Sequence, residues 1–407
     1  MDRRLLLKLS AALALAPSVS RATPVSAPRV AVIGGGIVGC SIAYQLAKAG
    51  AAVTLLERNQ IASQASHATF AWINATWAKQ PQSYHHFNQL GLQHWHELGR
   101  ELDIPITWGG SLEWFESEER QRRLEQDIDE QIEWGEPASI LDAEQVIALE
   151  PALTLGPSTR AAYSAADGAV NPVEACQRLV ESARGFGAQS HESVAVDDVR
   201  IDQATGNCLL LTSDGELPVD RYVIATGADP FAIEKLAAAE VPQRSTPGVI
   251  VVTKPVPPLL SRIVVAPGVH VHQRADGRIV LGEQDGVPAN GSHATRLTAR
   301  PTRFPNEAIA NQHAERLMAL ARRFIQELEA VEVEEVIIGW RPLPLDGHPV
   351  LGSSRKRPQS YIAVMHSGVS LAPLVGKLVS VEIMTGRESP LLRDYRPDRD
   401  FTDSGRY

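Results

Sequence analysis

A chain of 407 residues, 44% hydrophobic and 21% charged, has the apolar material for large cores and the balance of an ordinary globular protein. Its length predicts two domains or more. A formal net charge of −9, with no long basic stretch beyond the N-terminus, argues against nucleic acid or an anionic membrane surface as a partner. Three cysteines (Cys40, Cys176 and Cys208) without a Cys-x-x-Cys pair argue against a disulfide framework and against zinc.

In chain order, the first feature is Arg3-Arg4 ahead of an apolar run that ends near Ala16, followed by the small-residue step Ser20-Arg21-Ala22. This predicts an export signal over 1–22, too short to span a bilayer, so no integral membrane segment is expected. The paired arginines resemble the twin-arginine class, which implies a periplasmic protein exported already folded.

Arg29–Ile33 reads as a strand buried on both faces. Gly34-x-Gly36-x-x-Gly39 follows, opening a helix at Ile37 and Val38 that runs through Lys48 to Gly50. Ala52–Leu56 is a second strand, with Glu57 at its end and Arg58 beyond. That order is the dinucleotide-binding fingerprint. Gly34 permits the tight turn, Gly36 lets a pyrophosphate approach the backbone, and Gly39 lets helix and strand pack. The helix N-terminus favours the pyrophosphate charge, and Glu57 accepts from the adenosine ribose hydroxyls. An acid here does not by itself separate FAD from NAD.

Residues 80–150 are more polar and helical, with a strand predicted at Ser111–Phe115 and Ser117 as a helix cap. His85, His86, His94 and His96 do not form an i,i+4 face with one another. They fit a solvated amphipathic helix better than a metal site, and no metal is expected. Asn171, Pro172 and Glu174 start another helix. Turns at 204–206 and 213–215 predict a small meander, and the strand Tyr222–Ala225 runs into Thr226-Gly227. His270 and His272 share one face of a strand that leads to a hairpin turn at 275–278, and a packed or solvated pair is the expected reading. Helices are predicted over 305–330 and from Val369 to Met384.

The interleaving predicts an α/β Rossmann-type dinucleotide domain in three pieces (28–80, 150–235 and 336–407). A smaller mixed-sheet substrate domain occupies 81–149 and 236–335. Several further motifs keep a common order: Ala65–Thr69, Leu149-Glu150-Pro151, Asp167–Pro172, Ile224–Ala228, Gly339–Pro342, Asp346–Gly352 and His366-Ser367-Gly368. With the glycine turn, they make the mature chain resemble the D-amino-acid oxidase-like superfamily of FAD flavoproteins. That superfamily includes glycine oxidase, sarcosine oxidase and D-amino-acid dehydrogenase.

The resemblance implies that Ser63, Ser66, His67, Ala68 and Thr69 lie beside the FAD pyrophosphate and flavin, with Thr226 and Gly227 close to the dinucleotide. Ser367, Gly368, Val369 and Ser370 would open a helix aimed at the flavin N1–C2 edge. Arg341 would clamp a substrate carboxylate, and His366 would contact flavin or orient a water. Trp72 and Trp77 could line the pocket or fill the core. The implied reaction is oxidation of the Cα–N bond of a D-amino acid, glycine or an N-methyl amino acid to an imine. Hydride passes to flavin N5, and oxygen or a quinone is the final acceptor. Three alternatives stay open: an amine lacking a carboxylate, an NAD-linked dehydrogenase, and a flavoprotein that assists assembly or modification of another protein. His67 and Thr69 stand where relatives usually carry an aromatic and an asparagine, and Met365 and Ser370 where glycine is common.

Overall fold

A computed structural model describes residues 27–76, 79–202, 204–283, 303–304 and 306–403. The predicted export signal and Trp77 lie outside the described residues.

The glycine turn sits at the centre of a six-stranded sheet. Its order is Val350–Ser353, Ser360–Val364, Arg221–Ile224, Arg29–Ile33, Ala52–Leu56 and Gln189–His191. Neighbouring strands run parallel except for the antiparallel first pair. The first strand shows why its run is apolar throughout. Val30 and Val32 face a core built with helices Ile37–Lys48, Pro172–Gly185 and Gly368–Thr385, while Ala31 and Ile33 face a second core under the meander. The meander is the three strands Val196–Ile201, Cys208–Thr212 and Gly215–Val219. Cys40 and Cys176 are buried in the first core.

The other large element is an eight-stranded mixed sheet. Its order is Val333–Pro344, Gln243–Thr253, Ile279–Glu283, Val269–Gln273, Ile263–Ala266, Ser111–Glu113, Arg160–Ser164 and Ala138–Asp142. Helix Glu307–Arg322 buries Leu317, Met318 and Ala321 against it. Three short strands, Trp72–Ile73, Gly168–Val170 and Ile106–Trp108, form a further sheet. The mixed α/β fold expected from the sequence is the fold seen.

Three segments depart from the expected partition. Arg160–Ser164 pairs inside the eight-stranded sheet, although it falls within the 150–235 piece. The strand Val333–Pro344 pairs with Gln243–Thr253 as far as Pro344, so the boundary at 335/336 cuts a continuous ladder. Helix Gln82–Glu101, placed in the substrate piece, buries Tyr84, Phe87, Leu92, Trp95 and Leu98 in the core of the six-stranded sheet. Backbone pairing and helix burial decide these memberships, and local composition carries little trace of either.

That same helix corrects the reading of its histidines as solvated. His85 is fully buried, 3.3 Å from Glu136, and its ring meets Trp134 edge-on. His96 stacks on Trp108 at 3.8 Å, and only His86 and His94 bond to exposed neighbours on their own helix. Gly368–Thr385 is, among the described residues, the one helix long and apolar enough to cross a membrane. With 61% of it buried, it is the central core helix.

Candidate active site

The turn after the first strand is built as its glycines require. The Gly34 amide donates to Leu56 O at 2.8 Å, at φ +111°, and a Cβ there would lie 2.4 Å from Ala225 O. Gly39 does not line the cleft. Its missing Cβ would sit 1.9 Å from Gly34 O, so it serves helix–strand packing. Gly36 is different: a Cβ would meet only Ser66 Oγ, at 3.2 Å, and otherwise project into the cleft.

The cleft holds about 1740 Å³ between the two large sheets, beyond the usual small-ligand pocket and ample for a dinucleotide plus a substrate. At one end are Gly34, Gly36, Ile37 and Val38, with Glu57 and Arg58 at the end of the second strand. Glu57 is buried, its two carboxylate oxygens accepting from Gly35 N at 2.7 Å and Asn59 N at 2.8 Å. Each oxygen keeps acceptor capacity for a ribose hydroxyl. Arg58 pairs with Asp229 at 2.9 Å. The Ile37 amide is committed to Ser66 Oγ at 2.9 Å, which removes it from the set available to a phosphate.

Ser63, Ser66, His67, Ala68 and Thr69 line the middle of the cleft. Ser63 Oγ is buried with no partner among the described residues, the kind of orphan hydroxyl that a phosphate oxygen satisfies. His67 lies 3.7 Å from Glu335, and Thr69 Oγ1 accepts from Ala71 N at 3.2 Å. Thr226 and Gly227 line the opposite wall, and Ser367, Gly368, Val369 and Ser370 close the floor at the start of the core helix. Ser370 uses its side chain as a bracket: Oγ accepts from Asn74 N at 3.0 Å and donates to Trp72 O at 3.2 Å.

Arg341 and His366 come together at the inner end. Arg341 stands on the long strand Val333–Pro344, its guanidinium lying over Gly248, where a Cβ would be 3.2 Å from Nη2. Burial pulls its pKa below the ordinary arginine value, and among the described residues no carboxylate pairs with it. His366 is pushed down to about 3 by burial, then by Arg341 and Lys79, so its ring is neutral. His270 also lines the cleft and is held at about 3 by burial and Arg341, with Nε2 buried and unpartnered among the described residues. The two strand histidines therefore differ: His272 turns its Nε2 to Phe70 O at 2.9 Å, and Phe70 packs between the rings.

Trp72 lines the cleft, and its Nε1 donates to Asp167 at 2.9 Å. Thr76 Oγ1 and Ser111 Oγ donate to the same oxygen at 2.7 Å each, tying the cleft wall to the eight-stranded sheet. Burial pushes the Asp167 carboxyl up from 3.8 to about 6, against the pull of these donors and Lys79. The folded carboxyl thus holds its proton more tightly than the unfolded one. Its stabilising contribution is complete below about pH 4 and is lost as pH rises through about 6, roughly 3 kcal/mol in all. Asp167→Asn, which cannot ionise, should gain stability relative to wild type over that rise. Denaturant midpoints measured across it check this, and parallel curves for the two proteins would contradict it.

Several cleft residues carry no sequence signal. Val194–Asp197, Phe231, Lys235 and Gly248–Ile250 reach it from separate chain segments through tertiary packing alone.

The profile of the FAD dependent oxidoreductase family matches residues 29–381. An opine oxidase polypeptide of Agrobacterium tumefaciens (strain Ach5) is 26% identical over 369 residues, covering 88% of this chain and 93% of that protein. Glycine oxidase of Bacillus licheniformis is 25% identical over 363 residues, covering 87% and 92%. Among solved structures, glycine oxidase from Geobacillus kaustophilus superposes with a TM-score of 0.79 over 92% of this chain and 100% of its own, at 24% identity. L-proline dehydrogenase from P. horikoshii gives 0.78 over 91% and 97%, at 22% identity; both structures show a shared fold. The open face of Gly36, the orphan Ser63 hydroxyl and the poised Glu57 fit the diphosphate and ribose of a flavin dinucleotide. The chain belongs to the FAD dependent oxidoreductase family, and FAD is its cofactor.

Proposed function

We propose that this enzyme oxidises the Cα–N bond of an amino acid or N-substituted amino acid to an imine, which water then hydrolyses. One observation carries the reading: Arg341 is a buried cation at the inner end of the cleft with no carboxylate partner among the described residues. A buried guanidinium without a counter-ion is costly, and a substrate carboxylate would relieve that cost through two parallel charge-assisted hydrogen bonds. The relatives named glycine oxidase and opine oxidase support the same class of substrate.

Bound FAD supplies the hydride acceptor. The chain's own residues position and exclude. Arg341 fixes the carboxylate, and thereby which face of Cα is presented. His366 and His270, neutral at any working pH, add no positive charge that would repel an amine. Phe70, Trp72 and Ile250 keep this end of the cleft apolar, which favours an amine entering in its neutral form. Incubation with the substrate and an electron acceptor should yield an oxo acid together with ammonia or a primary amine, each equal to the acceptor reduced. Acceptor reduction without a carbonyl product would refute Cα–N oxidation.

A further inference from the structure

The core helix Gly368–Thr385 has a proline inside it, at Pro373. In a regular helix the amide of residue 373 would donate to the carbonyl of Val369. Proline has no such donor, and its ring presses on the carbonyl four residues back and tilts it outward. Val369 is in the turn that closes the floor of the cleft. The missing donor comes from another helix: Trp95 Nε1 donates to Val369 O at 2.7 Å. Trp95 is fully buried and does not line the cleft.

The surroundings are built for that reach. Gly91, one turn before Trp95, lies against the same helix, and a Cβ there would be 2.6 Å from Ser370 O. The Tyr84 hydroxyl, on the same helix as Trp95, meets Ser367 Oγ at 3.1 Å. From the other side, Ser41 Oγ donates to Ala372 O at 2.7 Å. The first turn of the core helix is therefore gripped through its own backbone.

We propose that Trp95 and Pro373 form a matched pair of positioning residues, with the indole replacing the hydrogen bond that the proline deletes. The pair sets the direction in which the amides of Ser367–Ser370 face the cleft. This rests on the reading that the flavin N1–C2 edge lies against that turn. Negative charge gathers on that edge when the flavin is reduced or takes up a nucleophile at N5, and well-aimed amides stabilise it.

Sulfite tests this without turnover. It adds to flavin N5 through its sulfur lone pair, forming an N–S bond and leaving the negative charge on the N1–C2 edge, and the visible absorbance bleaches. Trp95→Phe keeps a ring but loses the donor, and should weaken sulfite binding by about tenfold or more. Adding Pro373→Ala restores a backbone N–H to Val369 O, and should bring affinity back to within about threefold of wild type. Pro373→Ala alone should change it by less than about threefold. Unchanged affinity in Trp95→Phe, or a double variant as weak as the single one, overturns the proposal. Should Trp95→Phe fail to fold while the double variant folds, the missing donor is demonstrated by rescue. If neither folds, the indole serves packing and the pairing is wrong. Thermal midpoints of the apoproteins distinguish the supporting premise. If stability follows the rescue pattern while sulfite affinity never moves, the brace is real but the flavin edge does not face it, and amine oxidation by the enzyme stands untouched.

Discussion

Alanine at Arg341 is expected to lower kcat/KM for a carboxylate-bearing amine by about 10²- to 10³-fold, the loss typical of one member of a buried, hydrogen-bonded charge pair. Most of the loss should fall on KM, with a further share on kcat if the carboxylate also orients Cα. FAD affinity should be unchanged, because Arg341 is at the inner end of the cleft and distant in the fold from the glycine turn. Folding stability should hold or rise slightly, since a buried cation without a partner is removed. Arg341→Lys should recover only part of the activity, because a point charge cannot form the bidentate fork. Steady-state kinetics with matched substrates, one bearing a carboxylate and one lacking it, check this. Equal losses on both, or no loss on either, would remove Arg341 from substrate recognition.

The second large effect separates two glycines of one motif. Gly39→Ala forces a Cβ to within 1.9 Å of Gly34 O, which is backbone and cannot swing aside. The helix must move off the strand, and a loss of about 3 kcal/mol or more of stability is expected from such overpacking. Gly36→Ala meets only Ser66 Oγ, at 3.2 Å, so the fold should persist with little change in thermal midpoint. Its methyl would instead occupy space that a pyrophosphate needs, and FAD affinity should fall by about tenfold or more. Thermal midpoints of the apoproteins alongside FAD titrations distinguish the two. Equal destabilisation by both alanines would mean that Gly36 is also a packing residue.

What could be read from the sequence follows how local each requirement is. The glycine turn was legible because each glycine answers to atoms fixed by one strand, one turn and one helix. The helix start at Asn171-Pro172 and the cap at Ser117 were legible for the same reason, and both caps form, with Asn171 accepting from Val173 N and Ser117 from Arg120 N. Domain membership was not, because Arg160–Ser164 and Val333–Pro344 are assigned by their pairing partners across long chain distances. The polar helix Gln82–Glu101 hid its core role behind histidines and glutamines, although Trp95 and Gly91 are its central residues. Ser370 stood out as a departure from glycine, but its bracket between Asn74 and Trp72 appears only once those strands are in place. Arg341 could be picked out by resemblance. Its want of a counter-ion is a property of the assembled cleft.

The most direct test of the account is anaerobic mixing of the FAD-loaded enzyme with a panel of D-, L- and N-substituted amino acids while the flavin absorbance is followed. The account predicts that one class bleaches the flavin and that the corresponding amines lacking a carboxylate do so far more slowly. A flavin that binds tightly yet is reduced by none of them would contradict Cα–N oxidation as the enzyme's reaction.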